Sequence, residues 1–444
     1  MFESYRKKYL IFKYTKYEYQ LIGNKLIIDL KFEIENLAIF QPHIEILFNE
    51  LALDLNLDDL DRFVFQYGLV ESISYWKATC SKNYQIDCGT FEKGMIPFWK
   101  KLFHKGLGEF RYINGIQCSE IDFINFIFEP SKNKITNSIP NHEKFSDAIL
   151  PIGGGKDSLV SLDILQKQKI KFDVFLVNPQ KSTLQLIANE EINPQNIITV
   201  QRSIDKNLLK LNSEGFLNGH TPFSAMLAFL LNICAVAKQR KYLILSNESS
   251  ANEGNAKIID EEINHQYSKS LEFELDFANF NNSFLSKNII YFSLLRTLSE
   301  LNIAQRFSAL NRFFPHFRSC NAGRKIDCWC SECPKCLFVW IILSPFLSHD
   351  KLMEIFKNNI WDSHELIPTF DALIGLEDVK PFECVGTVSE VNMAIKQVIK
   401  NRDNSDMPLL LRRFSEKASS IKNIPEIENN YGHNIPEPFL DYVK

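Results

Sequence analysis

Residues 10–36, LIFKYTKYEYQLIGNKLIIDLKFEIEN, alternate apolar with polar or aromatic positions around an Ile-Gly-Asn turn. A period of two is that of a half-buried strand, so the chain is predicted to open in a β-hairpin. Residues 58–106 read helically, and FEKGMIPFWKKLFHKGLGEF spaces Phe91, Ile96, Phe98, Trp99, Leu102 and Phe103 on one broad face. Residues 129–146, EPSKNKITNSIPNHEKFS, are polar, contain two prolines and show no period, which marks a linker.

From residue 147 strand and helix patterns alternate. DAILPI precedes a helix over about 156–168, FDVFLV precedes one near 181–190, and IITV, a long helix over 222–238, YLILS (242–246) and IIYFSLL (289–295) follow. Alternation of this kind builds a mostly parallel sheet with helices on both faces, and ligands then sit at the carboxyl ends of the strands. The expectation is an α/β fold in two parts: an α+β N-terminal domain over 1–140, and a nucleotide-type domain over 141–444 that ends in a helical extension over 346–444. No internal repeat and no low-complexity segment interrupts it.

A chain of 444 residues is long enough for two or three domains. Its 45% hydrophobic and 23% charged residues are those of an ordinary globular protein. Lys+Arg of 50 against Asp+Glu of 54 gives a formal charge of −4, without the basic surface that nucleic-acid binding favours. MFESYRKKYLIFKY has no continuous apolar core of a secretory signal. FSAMLAFLLNICAVA (223–237) and LFVWIILSPFL (337–347) fall short of a membrane span and read as buried helices. The expectation is a cytoplasmic protein without a membrane or nucleic-acid partner. Its ten cysteines, in a reducing compartment, point to metal before disulfides.

Candidate chemistry begins at PIGGGKDSLVSL (151–162), where a strand feeds three glycines and then a helix. Such a turn offers unpaired backbone N–H groups and a positive dipole end to an anion. A Walker loop is excluded, because Asp157 follows Gly155-Lys156 and Leu150 stands where its first glycine belongs. A dinucleotide fingerprint is excluded by Ser158 in place of its last glycine. An acidic residue beside polyphosphate calls for a divalent cation, and Mg²⁺ suits a carboxylate, water and phosphate oxygens.

CNAGRKIDCWCSECPKC (320–336) holds five cysteines. Cys330, Cys333 and Cys336 form a C-x-x-C-x-x-C series that Cys320 or Cys328 can complete as a tetrahedral thiolate site, with structural Zn²⁺ expected and an iron–sulfur cluster as the alternative. Cys320 is preferred, since Cys328 is separated from Cys330 by a single residue.

SNESSANEGN (246–255) leaves the YLILS strand carrying Glu248 and Glu253, candidates for nucleotide or Mg²⁺ contact or a plain solvated loop. NGHTPFSAM (218–226) places His220 just before a helix start, and NHQYSKS (264–270) carries His265 and Lys269 without apolar alternation. KPFECVG (380–386) holds Cys384, whose plain reading is a buried structural thiol.

The stretch Gly153-Gly154-Gly155-Lys156-Asp157-Ser158 resembles the S-G-G-x-D-S loop of the ATP pyrophosphatase, or PP-loop, superfamily, with Gly153 in place of the leading serine. That resemblance implies ATP cleavage between the α and β phosphates, pyrophosphate held by Gly154, Gly155 and Ser158, added charge from Lys156, and Asp157 facing the phosphates through Mg²⁺. The cysteine spacing is similar to the zinc site of the 7-cyano-7-deazaguanine synthase branch of that superfamily. GGGKDSLVS, LNGHTPFSA, SNESSANEGN, NHQYSKS, YFSLLRTLSELNIAQRF, CWCSECPKC and KPFECVG, with SYWKA and GLGEFRYING upstream, together resemble the UDP-N-acetylmuramoyl-L-alanyl-L-glutamate epimerase (MurL) family over about residues 60–390. The resemblance implies ATP- and Mg²⁺-dependent inversion of the terminal L-glutamyl residue of UDP-MurNAc-L-Ala-L-Glu, releasing AMP and pyrophosphate, in peptidoglycan precursor synthesis. His220, His265, Lys269, Glu248 and Cys384 are the candidates for proton transfer, and the sequence does not choose among them. The competing expectations are another PP-loop enzyme acting on a deazapurine or tRNA, and a zinc-stabilised nucleotide-binding module without catalysis.

Overall fold

The computed structural model describes residues 1–51, 55–129, 139–259, 261–402, 407–421 and 432–444. Its strands are β1 (Ile11–Ile22), β2 (Lys25–Ile34), β3 (Ala38–Phe40), β4 (His43–Phe48), β5 (Asn83–Ile86), β6 (Asn125–Phe128), β7 (Ser146–Pro151), β8 (Phe172–Val177), β9 (Ile197–Ser203), β10 (Arg240–Leu245), β11 (Ala256–Ile258), β12 (Glu261–Ile263) and β13 (Ile290–Ser293). All but β11 and β12 join one mixed sheet, ordered β13-β10-β7-β8-β9-β4-β2-β1-β5-β6 with β3 on β2.

The opening hairpin forms where the period of two placed it. Ile22 pairs with Lys25 across a turn whose Gly23 takes φ +59°, and Leu26, Ile28, Leu30, Phe32 and Ile34 of β2 are buried in alternation. The helical reading of 58–106 needs correction. Helix Leu57–Trp76 forms, with Asn56 capping the N–H groups of Asp58 and Asp59, but β5 separates it from helix Ile96–Gly106. In β5 only Tyr84 and Ile86 carry the alternation, too short a run to register against the helical pattern around it. Half of the expected linker, 130–138, lies outside the described residues.

The strands β13, β10, β7, β8 and β9 are mutually parallel, and helices Lys156–Lys167 and Phe223–Lys238 lie within the expected stretches. The N-terminal strands do not form a separate sheet: β4 pairs antiparallel with β9 from His43↔Ser203 to Phe48↔Ile198. Packing crosses the same seam. Trp99 stacks on Phe229 at 5.2 Å between ring centroids, and the buried Glu71 carboxylate takes two 2.8 Å hydrogen bonds from Arg202. The described residues of 1–140 and the parallel strands therefore share one core face, while helices Lys156–Lys167, Glu300–Ser308, Pro334–Leu343 and Val388–Lys400 cover the other. Beyond residue 346 the described residues are helices and connections. Among the described residues no helix is long and apolar enough to cross a membrane; the apolar segments at 223–237 and 337–347 supply the buried helices Phe223–Lys238 and Pro334–Leu343.

Candidate active site

Strand β7 runs into Gly153-Gly154-Gly155 and then helix Lys156–Lys167, whose N-cap, Gly155, has no side chain to satisfy the first-turn N–H groups. Gly154 takes φ +85°, and a Cβ there would stand 2.9 Å from Thr183 Oγ1 and 3.3 Å from the Arg318 carbonyl oxygen. Only glycine fits. A Cβ at Gly153, by contrast, would meet nothing within 4 Å, so a ligand can approach the backbone there. Beside Gly153, at the carboxyl ends of β7 and β8, lies a cavity of about 120 Å³ lined by Phe175, Asn178, Thr183, Phe223 and Arg324 among others. A larger cleft of about 950 Å³ lies in the N-terminal half, lined by Asp58, Asp59, Asp61 and Glu92, and does not touch the loop.

Lys156 is buried, with its ammonium against Asp157 and Glu300. Burial pushes the Glu300 carboxyl up to about 8 against the pull of Lys156, and Asp157 and Glu248 add to the rise. Burial also opposes the Asp157 carboxylate, but Lys156 and Lys335 outweigh it and hold its pKa low. Asp157 keeps 28% of its side chain exposed against 2% for Glu300, so Asp157 is the carboxylate that can meet a solvated cation. Ser158 Oγ donates to the Gly155 carbonyl at 3.0 Å.

Arg296, fully buried, ties the next groups together. It donates to the carbonyls of Glu248 at 2.7 Å and Lys269 at 2.6 Å and to the Glu274 carboxylate at 2.9 Å. Glu248 thereby lies buried near Lys156 and Lys269 and raises the pKa of both. Glu253 instead pairs with Lys380 at 2.6 Å.

Lys269 Nζ donates to Cys384 Sγ at 3.0 Å. The segment carrying Cys384 is fixed from three sides: Lys335 Nζ donates to the Cys384 carbonyl, Asn255 exchanges hydrogen bonds with Lys380 N and the Pro381 carbonyl, and Glu390 accepts from Thr387 N and Glu300 N. Asn255 Oδ1 also accepts from His265 N at 2.9 Å, which sets the histidine beside the thiol. The reading of Cys384 as a core thiol does not describe this place, whose neighbours are ammonium and imidazole groups. Burial opposes a thiolate, yet Lys269, His265 and Lys335 together lower its pKa to about 6. His265 Nδ1 lies 2.5 Å from Glu109 Oε2, and the neighbouring Cys384 and Glu109 outweigh burial and raise its pKa to about 9. The rings of His220 and His265 are 4.3 Å apart, and burial, then His265, Lys77 and Lys269, hold His220 well below the usual range. His220 stands before helix Phe223–Lys238, but the group facing it is the Glu109 carboxylate at 3.6 Å rather than an open anion site.

The sulfurs of Cys320, Cys330, Cys333 and Cys336 converge, with Cys320–Cys330 at 3.4 Å, Cys330–Cys336 at 3.6 Å and Cys333–Cys336 at 3.5 Å. A tetrahedral zinc thiolate site has S···S edges of about 3.8 Å for Zn–S bonds of about 2.3 Å, so the four residues fit such an ion. Gly323 N and Ser331 N donate to Cys320 and Cys336, as backbone amides do for thiolates. Cys328 is not in this group; its carbonyl would lie 2.0 Å from a Cβ at Gly323.

Sequence reasoning passed over Glu109, Glu300, Arg296 and Lys335. Each lies in a stretch that carried the resemblance, but a carboxylate in GLGEFRYING or an arginine in YFSLLRTLSEL has no spacing signature; only the fold brings them to the loop.

Fold and site define an α/β protein in which a glycine-rich loop, buried carboxylates, a thiol–imidazole cluster and a four-cysteine cluster adjoin. The family description "MurL N-terminal domain" matches residues 3–294, and "MurL C-terminal domain" matches 316–427. The chain belongs to the MurL family. It is 33% identical over 354 residues to the UDP-N-acetyl-alpha-D-muramoyl-L-alanyl-L-glutamate epimerase of Xanthomonas oryzae pv. oryzae, covering 78% of this chain and 76% of that one. It is 31% identical over 400 residues to the like-named protein of a Micromonospora species, covering 87% and 86%, and 29% identical over 364 residues to that of Salinispora tropica, covering 80% and 77%.

Proposed function

We propose that the protein epimerises the terminal L-glutamyl residue of UDP-MurNAc-L-Ala-L-Glu, in the cytoplasm, with ATP and Mg²⁺. The relatives' names support the substrate. The observation that carries the chemistry is the position of Lys269, which contacts Cys384 and lies close enough to Asp157 for each to shift the other's pKa, so that an anion-binding loop and a proton-transfer cluster share one space.

The α proton of a peptidyl glutamate is very weakly acidic while the carboxylate beside it is ionised, because its removal would place two negative charges on adjacent atoms. An α-carboxylate oxygen attacks the α phosphorus of ATP, pyrophosphate leaves, and the acyl adenylate no longer carries that charge. The first-turn N–H groups after Gly154-Gly155 and the Lys156 ammonium hold the phosphates. A magnesium ion, for which Asp157 is the accessible ligand, supplies charge neutralisation of the phosphates. Zinc in the four-cysteine cluster supplies a structural cross-link. A base then takes the α proton, the enolate is protonated on its other face, and water releases AMP. His220, His265, Lys269 and Cys384 are the groups in reach of one another for that exchange.

The test is incubation with UDP-MurNAc-L-Ala-L-Glu, ATP and Mg²⁺, followed by glutamate chirality and nucleotide analysis. D-glutamate formed together with AMP supports the reading. AMP formed only with a deazapurine or tRNA acceptor contradicts it, as does epimerisation at the wild-type rate in Asp157→Asn.

A further inference from the structure

Glu109, His220, His265, Lys269 and Cys384 lie together beyond the nucleotide loop, and their connectivity singles out a line through them. Glu109 comes from the short helix Gly108–Ile113, far in sequence from the loop. That helix is docked by Arg111, which forks onto Glu261 of β12 at 2.9 and 2.5 Å, and by Gly108, where a Cβ would come within 3.2 Å of Ile263. The docking delivers Glu109 Oε2 to His265 Nδ1 at 2.5 Å. Asn255, which accepts from His265 N and donates to the Pro381 carbonyl, holds His265 next to the segment of Cys384, close enough for each to shift the other's pKa, and Cys384 Sγ is 3.0 Å from Lys269 Nζ. A carboxylate, an imidazole and a thiol in that order are the parts of an activated sulfur base.

We propose that Glu109, His265 and Cys384 form a relay in which Cys384 is the catalytic base on the glutamyl α carbon and Glu109 is the positioning residue that keeps His265 protonated beside the thiolate. The proposal rests on the epimerase reading above. The Cα–H bond breaks as an S–H bond forms on Cys384, and the electron pair of the broken bond passes into the enolate of the activated carboxyl. The opposite face of that enolate takes a proton from solvent. Lys269 adds a positive charge beside the sulfur, and Asp157 and Glu248 lie close enough to raise its pKa. The charged groups facing Cys384 are Lys269, His265 and Lys335, with Glu383 beside it in the chain. The balance is cationic, which favours a thiolate.

Glu109, His220 and His265 also present ligand atoms within 4.8 Å of one another, a set that a divalent metal could use. The surroundings disfavour it. Lys77, bonded to Thr221 Oγ1 at 2.8 Å and to the Gly219 carbonyl, and Lys269 both stand close enough to depress the His220 pKa, and two ammonium groups repel a dication.

The experiment has two arms. Single-turnover reactions in deuterated water, with UDP-MurNAc-L-Ala-L-Glu, ATP and Mg²⁺, follow pyrophosphate release and deuterium at the glutamyl α carbon. Cys384→Ser is expected to release pyrophosphate while label falls at least about a thousandfold, the range of a lost activated base. Label at the wild-type rate would overturn the assignment. Wild-type protein that releases no pyrophosphate would instead contradict the epimerase reading. The second arm needs no turnover: alkylation of Cys384 by iodoacetamide, mapped by mass spectrometry, is followed against pH. Its midpoint is expected near pH 6 in the wild type and higher in Glu109→Gln, with Glu109→Asp partly restoring it. An unshifted midpoint in Glu109→Gln would remove Glu109 from the relay. A second equivalent of bound metal, lost in His220→Ala, would replace the relay with a metal site.

Discussion

The backbone N–H of Arg318 donates to the carbonyl of Gly154 at 2.9 Å, so the glycine loop is clamped by the segment that enters the four-cysteine cluster two residues later. Gly155 touches the same segment, with Ser319 Cβ 3.4 Å from where its own Cβ would be. The four-cysteine cluster and the glycine-rich loop are therefore mechanically joined.

Removal of the metal should loosen that clamp. Elemental analysis is expected to give one zinc per chain. Chelation or Cys320→Ser should weaken ATP binding by at least about tenfold, in line with the loss of a structural ligand set. Titration calorimetry of the metal-depleted protein checks this.

The two glycines at the loop should separate stability from binding. Gly154→Ala forces a side chain into left-handed backbone and against Thr183 Oγ1, and is expected to lower stability by about 1–3 kcal/mol. Gly153→Ala adds a methyl group in open space; stability should stay within about 0.5 kcal/mol while ATP binding weakens. Denaturant unfolding and nucleotide titration read the two effects apart.

Arg296 should prove the keystone among the buried charges. Arg296→Ala leaves the buried Glu274 carboxylate and the carbonyls of Glu248 and Lys269 without their donor. The expected loss is about 3–5 kcal/mol, read from the unfolding midpoint. Arg296→Lys should recover only part, since one ammonium does not reproduce the guanidinium fork.

The pH dependence of α-proton exchange follows from the relay. Cys384, with its pKa lowered to about 6, is a thiolate above that pH and loses its basic form as pH falls through it. His265, with its pKa raised to about 9, keeps its positive charge below that pH and loses it as pH rises through it. Exchange under subsaturating substrate should rise through about pH 6, level off, and fall through about pH 9.

Much of this was legible in local sequence because local physics produced it. The hairpin at Gly23, the strand–loop–helix at Gly153–Lys156 and the buried helix Phe223–Lys238 all depend on periods and turn residues within a short window. The continuity of the sheet through β4 and β9 was not, because the pairing of His43 with Ser203 joins residues far apart in sequence, and neither strand's alternation names its partner. The same holds for the site. Asp157 and the cysteine series announce themselves by spacing, whereas Glu109 beside His265 and Glu300 beside Lys156 are made neighbours only by packing.

The most direct measurement of the central claim is deuterium incorporation at the glutamyl α carbon of UDP-MurNAc-L-Ala-L-Glu as a function of the nucleotide supplied. The account expects label and inversion with ATP and Mg²⁺, and neither with an ATP analogue whose α–β bridge is a non-cleavable methylene. Exchange that proceeds with that analogue, or without nucleotide, would contradict adenylation as the source of α-carbon acidity.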